Sequence, residues 1–183
     1  MRCVAEVGYS RATLREIARA AQMTSGSLYH YFPNKIELIT AVFNEAAALV
    51  TPRLTVAARR GAGIRDKLLA LLDEGERIQR EYPYAAAFER AIRSDTQLLD
   101  LTRGADSLFT ALHDEIVAIV KQAKREGALA PGASVQGAAA AVFVLIRGLS
   151  DYASSAPADQ YGATVRSLKL LIDGSLFNYD KLS

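Results

Sequence analysis

Among its 183 residues the chain has one cysteine, Cys3, no tryptophan, two histidines and five prolines. A lone cysteine excludes an internal disulfide and a zinc site built from several thiolates. No apolar run approaches the ~20 residues that a membrane-spanning helix needs; the longest strongly apolar stretch covers only residues 138–146. Residues 1–10 carry Glu6 and lack the apolar centre of a secretory signal. Neither sign of charge dominates, since 22 basic residues face 20 acidic ones. The alternation typical of strands is scarce, and neither repeats nor low-complexity segments occur. These absences lead to the expectation of a soluble, cytoplasmic protein with no membrane partner.

What is there is helical. Half the residues are apolar, Ala and Leu are abundant, and apolar residues recur at spacings of three and four. The expected class is all-α. Breaks are expected at Gly8-Tyr9-Ser10, Met23-Thr24, Pro33-Asn34, Pro52, Gly61-Ala62-Gly63, Pro83, Gly104, 127–132 and 154–157. They predict a small N-terminal unit, residues 1–45, and a larger helical unit, residues 46–183. In the larger unit helices are expected over 35–51, 64–80, 84–93, 106–126, 135–152 and 160–177. Residues 1–7 read as the last two turns of a helix, with Cys3 and Val4 facing a core. The expectation is either a longer natural start or a lost first half of that helix.

Residues 13–35 carry the most information. Thr13 followed by Glu16 forms a capping box, in which each side chain satisfies the other's backbone N–H. Leu14, Ile17, Ala18 and Ala21 mark a buried stripe. Thr24 caps a second short helix, and Pro33 stops it. Leu28 and Phe32, four apart, should pack on Ile17 and Ala18. Ser25, Gly26, Ser27, Tyr29 and His30 then remain on or near the surface. Two short helices joined by a tight turn, the second too polar on one side to be buried, are the build of a helix-turn-helix that enters a DNA major groove. Charge distribution is consistent with this: residues 1–35 hold five basic and two acidic residues, net +3, while the rest of the chain nets −1. Lys35 opens the next helix, where a cation and unpaired backbone N–H groups can meet a phosphate. Tyr29 can pack or contact DNA, and Tyr31 is expected to pack.

Thr13-Leu14-Arg15-Glu16-Ile17-Ala18, then Ser27-Leu28-Tyr29-His30-Tyr31-Phe32, then Lys35 and Leu38, with Gly8-Tyr9 before them, resemble the DNA-binding domain of the TetR-like transcriptional regulators. The resemblance covers residues 3–45. It implies about nine helices, the first three binding DNA and the rest binding an effector and a partner subunit. It also implies that Arg15, Ser25, Gly26, Ser27, Tyr29, His30, Tyr31 and Lys35 contact DNA. Two departures stand out: the short first helix, and Gln22 at a turn position where glycine is frequent. If that turn requires positive φ, Gln22 costs on the order of 1 kcal/mol.

In the larger unit, the small residues of 135–152 and the apolar stripe of 160–177 suggest a homodimer built through Ala141, Leu145, Gly148, Leu168, Leu171 and Ile172; the alternative is that both are core helices. An effector pocket among the middle helices is expected from Tyr84, Phe88, Phe109 and Phe143, with His113 and Arg147 as polar anchors. Arg147, set among apolar residues, must meet an acidic partner, a ligand or solvent. An enzyme is not expected. His30 and His113 lie in different units, no Glu-x-x-His pair repeats, and Asp73, Glu74 and Glu76 read as a solvated helix face. Neither a metal nor a cofactor is expected. The expected function is a ligand-responsive repressor that binds operator DNA as a dimer. The alternative is a protein-interaction module that kept the fold and lost DNA binding with the start of its first helix.

Overall fold

The computed structural model describes residues 1–95 and 98–177, with backbone alone over 99–110. Among the described residues every regular element is a helix. α1 (Arg2–Val7), α2 (Leu14–Ala20) and α3 (Ser25–Tyr31) form a head, and α4 (Lys35–Ala58) runs from the head into the body. α5 (Ile64–Glu81), α6 (Ala85–Arg93), α7 (Leu99–Arg125), α8 (Val135–Ala153) and α9 (Ala158–Ile172) form the body. No helix among the described residues is long and apolar enough to cross a membrane.

α2, α3 and α4 start where side chains can satisfy their first N–H groups. The Glu16 N–H donates to Thr13 Oγ1 (3.2 Å) and the Thr13 N–H to Glu16 Oε2 (2.8 Å), completing the capping box. Thr24 Oγ1 accepts from the Ser27 N–H (3.1 Å) and Asn34 Oδ1 from the Glu37 N–H (2.9 Å). These caps matter because helices of six or seven residues are too short to persist without tertiary support. That support comes from Leu14, Ala18, Leu28 and Leu38, which are buried together, with Ile17, Phe32 and Val42 packed against them.

Three expected boundaries moved. Pro52 does not end α4, although a proline inside a helix costs about 3 kcal/mol. The packing of α4 on both α5 and α7 outweighs it. The neighbouring Arg53 fastens the junction, donating to Glu74 (2.7 Å) and to both carboxylate oxygens of Glu81 (2.5 and 3.1 Å) on α5. Gly104 does not break α7 either, since one helical glycine costs only ~1 kcal/mol against alanine. The last helix stops at Ile172 rather than at 177. Gly174, at φ 69°, turns the chain so that its N–H and that of Ser175 close onto Leu171 O and Leu170 O.

Beside the small core around Leu14, Ala18, Leu28 and Leu38, the head shares a second one with the body. α1 packs on α6, so Val4, Tyr9, Ala12, Ile39 and Phe43 share one cluster with Phe88, Ile92 and Leu98. Cys3 lies against it, as its spacing from Val4 suggested. The junction is reinforced from outside by Ser10 Oγ, which donates to Asp95 Oδ2 (2.6 Å).

Candidate DNA-contacting surface and internal cavity

The capped start of α3 and its one buried residue, Leu28, fix which side of the helix faces out. Gly26, Ser27, Tyr29, His30 and Tyr31 are exposed and Ser25 is half-buried. A side chain added at Gly26 would meet nothing within 4 Å, so nothing inside the chain requires glycine there. Tyr29 is 54% and Tyr31 68% exposed, which overturns the expectation that Tyr31 packs. Tyr31 stands edge-on to His30, ring centres 5.4 Å apart, both outside the domain. Leu28 already fills the inward position, leaving the tyrosines no place in so small a core. Arg15 is exposed on α2.

Lys35 opens α4, as expected, and its ammonium has a partner within the chain. Its Nζ donates to Tyr9 O (2.9 Å) and sits 4.0 Å above the Tyr9 ring. The ammonium therefore ties the turn after α1 to the start of α4. Gln22 adopts φ 57°, the one non-glycine among the described residues with positive φ. Its N–H reaches Arg19 O (3.1 Å) and the Met23 N–H reaches Ala18 O (2.9 Å). That pair of bonds is a Schellman closure, and it sets the turn between α2 and α3.

The body holds a partly open cavity of about 180 Å³ among α4, α5, α6, α7, α8 and α9. Its walls are mainly aliphatic and aromatic: Phe43, Val50, Leu54, Leu71, Ile78 and Phe88 border it. Its space arises where small residues line the facing helices, Ala46 and Ala47 on α4, Gly75 on α5, Ala85 and Ala86 on α6. Of the described side chains expected in a pocket, Phe88 alone borders this cavity. Tyr84 lies outside its walls, partly exposed at the N-terminus of α6. His113 and Phe143 stack edge-on at 5.4 Å away from the cavity, on α7 and α8. The side chain of Phe109 lies outside the described residues. Arg147 turns from the cavity to an acidic partner, Glu89, at 3.6 Å.

Sequence reasoning missed the polar lining of this cavity, which comprises Glu89, Gln79, Ser150, Thr51 and Tyr161. Burial pushes the Glu89 carboxyl above its ordinary range against the pull of Arg93 and Arg147. Burial also raises the Tyr161 phenol, to about 12, with the nearby Glu76 charge adding to the shift, so Tyr161 is neutral at physiological pH. The available signals were Glu89 spaced four from Arg93 and the runs of alanine on α4 and α6. Asp73 and Glu74 are likewise not a bare solvated face. Glu74 is buried between Arg53 and Arg77, and Asp73 meets Lys169 of α9.

The two helices expected at a dimer interface present a mixed surface. Ala141, Gly148 and Leu171 are exposed. Leu145, Leu168 and Ile172 are half-buried, packed within the chain against Leu72, Leu149, Ala153, Tyr161 and Val165. Val144, at 67% exposure, and Leu170, at 45%, complete the outward apolar stripe.

A short-helix head with an outward polar recognition helix, joined by one long helix to a hollow helical body, defines a two-part helix-turn-helix protein. Residues 1–42 match the model of the bacterial regulatory proteins of the tetR family. The head is a tetR-family helix-turn-helix domain, and the chain as a whole has the TetR-like fold. It is 33% identical over 105 residues to an HTH-type transcriptional repressor of Mycobacterium tuberculosis, a match covering 56% of this chain and 50% of that protein. The matched segment thus spans half the length of that curated relative. Among solved structures, the transcriptional regulator FadR from Bacillus subtilis in complex with stearoyl-CoA superposes with a TM-score of 0.73 at 19% identity, covering 96% of this chain and 95% of that one. The TetR family transcriptional regulator PfmR from Thermus thermophilus gives 0.72 at 20% identity, covering 97% and 96%.

Proposed function

We propose that the protein is a DNA-binding transcriptional regulator, a ligand-responsive repressor that holds operator DNA as a homodimer. The outward face of α3 carries this reading. Its only buried residue is Leu28, and hydroxyls, an imidazole and two phenols project from a capped, open helix start. Ser25, Ser27, Tyr29, His30 and Tyr31 would read base edges or phosphates, Gly26 would let the backbone come close, and Arg15 would meet the phosphate backbone. Lys35 would act mainly by positioning, since it is engaged with Tyr9. A dimer through the exposed stripes of α8 and α9 would present two heads to two half-sites.

The cavity supplies the ligand response. Phe43 and Phe88 border it and also belong to the cluster that holds α1. An occupant that displaces either ring acts on the seat of the head, and the response equals the occupant's differential affinity for the two arrangements. The match to a transcriptional repressor of Mycobacterium tuberculosis supports the regulatory reading, and the likeness to FadR in complex with stearoyl-CoA supports a ligand response. A module that lost DNA binding finds no support, because α1 is seated, with Val4 buried against α6.

The test is selection of genomic fragments by the purified chain, followed by anisotropy titration over a salt series. The expected result is enrichment of a two-fold symmetric site, with affinity falling linearly on a logarithmic salt scale. Retention of all fragments alike, or of none, would refute the reading.

A further inference from the structure

The wall of the cavity limits both the charge and the size of its occupant. Among the described lining residues Glu89 is the one that carries a charge. Its Oε1 is fully buried, 2.9 Å from Arg93 Nε and 3.6 Å from Arg147 Nη1. Neither arginine borders the cavity, so the carboxylate is matched from behind the wall. Gln79 is engaged as well, its Nε2 donating to Ala153 O (3.3 Å). The other polar side chains of the described lining are three hydroxyls, of Thr51, Ser150 and Tyr161, on three different helices. The rest of that wall is aliphatic, phenyl or glycine.

An ionised occupant finds nothing there to replace its hydration. An anion meets a carboxylate and no cation on the wall. A cation meets a carboxylate already matched by two guanidiniums. Taking a charge out of water without a dedicated partner is expensive. The wall's own titratable groups register that cost, since burial raises both Glu89 and Tyr161 in favour of their neutral forms. Size sets the second limit. An apolar cavity of about 150 Å³ lined by Leu, Ile and Phe stays dry and takes up benzene. At about 180 Å³ this one has room for such a ring and about one methyl-sized group more. It lies below the ~300–1,000 Å³ of sites that bury a drug-sized ligand. A long acyl chain would leave most of its length outside.

We propose that this cavity takes an uncharged, mainly apolar molecule about the size of one six-membered ring with a short alkyl substituent. The proposal rests on the reading of the cavity as the effector site and names the polarity and size of that effector.

Calorimetric titration of the full chain with toluene, benzoate, benzylammonium and butylbenzene tests both limits without DNA. Toluene is expected to bind at least about tenfold tighter than either ion, which must give up its hydration. Butylbenzene should gain less than about tenfold over toluene, although three further methylenes, if buried, would bring about fourfold each. Ala47→Leu adds three carbons to the wall and should weaken toluene by about tenfold or more. Ala86→Leu takes its place if that variant does not fold. No binding of toluene, a smaller preference over the ions, a larger gain by butylbenzene, or a smaller loss in the filled variant each overturns the proposal. A parallel arm adds toluene to the DNA complex. Toluene that binds with the expected preferences yet leaves DNA binding unchanged sustains the ligand class and refutes the regulatory coupling. A complex released by other compounds, in a chain that does not bind toluene, does the reverse.

Discussion

Phe88 separates two regions of opposite character. On its head side, Val4, Tyr9, Ala12, Ile39 and Ile92 are packed to between 0% and 3% exposure. On its body side the same ring borders a void of about 180 Å³. The full side can pass a displacement on, because close-packed side chains yield little. The hollow side can receive one. The head acts through its outer surface and the body through its interior, and Phe88 and Phe43 belong to both.

The comparison breaks first at Phe88. Phe88→Ala should destabilise the protein by about 3–5 kcal/mol, seen as a lower urea midpoint, because it empties the full side into the hollow one. A loss below about 1 kcal/mol would mean that α1 is not seated on this ring. Second, Lys35→Ala should cost about 1–2 kcal/mol of stability and lower affinity for all DNA sequences alike. Unchanged stability with a flatter salt dependence would return Lys35 to a direct phosphate contact. Third, Ala47→Leu should fill the void, raise stability by about 1 kcal/mol and weaken any ligand that the wild type binds there. A destabilised variant would show that the hollow side is as rigid as the full one.

The two regions also differed in how far their sequence revealed them. In the head, Thr13 with Glu16, Thr24 and Asn34 are local devices whose partners lie within three residues, so spacing alone exposes them. The inward positions of Val4, Ala18 and Leu28 followed from the same periodicity. Tyr31 misled because its inward alternative depends on how much room Leu28 leaves. In the body the site is made of missing volume. Ala46, Ala47, Gly75, Ala85 and Ala86 come from three helices, and nothing in their spacing says that they face one another. Aromatic side chains are the usual cue to a pocket wall, yet His113 and Phe143 stack on each other, and Arg147 pairs with Glu89. Pro52 and Gly104 misled for a related reason: a local penalty of a few kcal/mol yields to packing that only the tertiary structure reveals.

The turn between α2 and α3 offers a finer test. Three helix ends close by the same pair of backbone bonds, at Gln22, Gly127 and Gly174. Two use glycine, and the head uses Gln22 at φ 57°. Gln22→Gly should therefore stabilise the protein by about 0.5–1 kcal/mol, after allowing for the added freedom of the unfolded chain. A destabilised variant would mean that the glutamine side chain holds the turn.

Acid gives the smallest effect and separates the two regions by sign. The Thr13 backbone N–H, with the Thr13 hydroxyl, holds the Glu16 carboxyl below its ordinary value. The folded state thus prefers the ionised form, and this stabilisation is present above the unfolded value of 4.5 and lost as pH falls from there through the lower folded value. Glu89 runs the other way. Its burial raises the folded value despite Arg93 and Arg147, so the folded state prefers the protonated form. Its contribution to stability rises on acidification and falls as pH climbs past 4.5. Glu81 and Glu115, lowered by Arg53 and Arg59, follow the sign of Glu16 and set the common background. Urea midpoints measured from pH 7 to pH 4 should consequently fall less steeply in Glu16→Gln than in the wild type, and more steeply in Glu89→Gln. Parallel slopes in all three proteins would show that capping in the head and burial at the cavity leave their carboxyls alike.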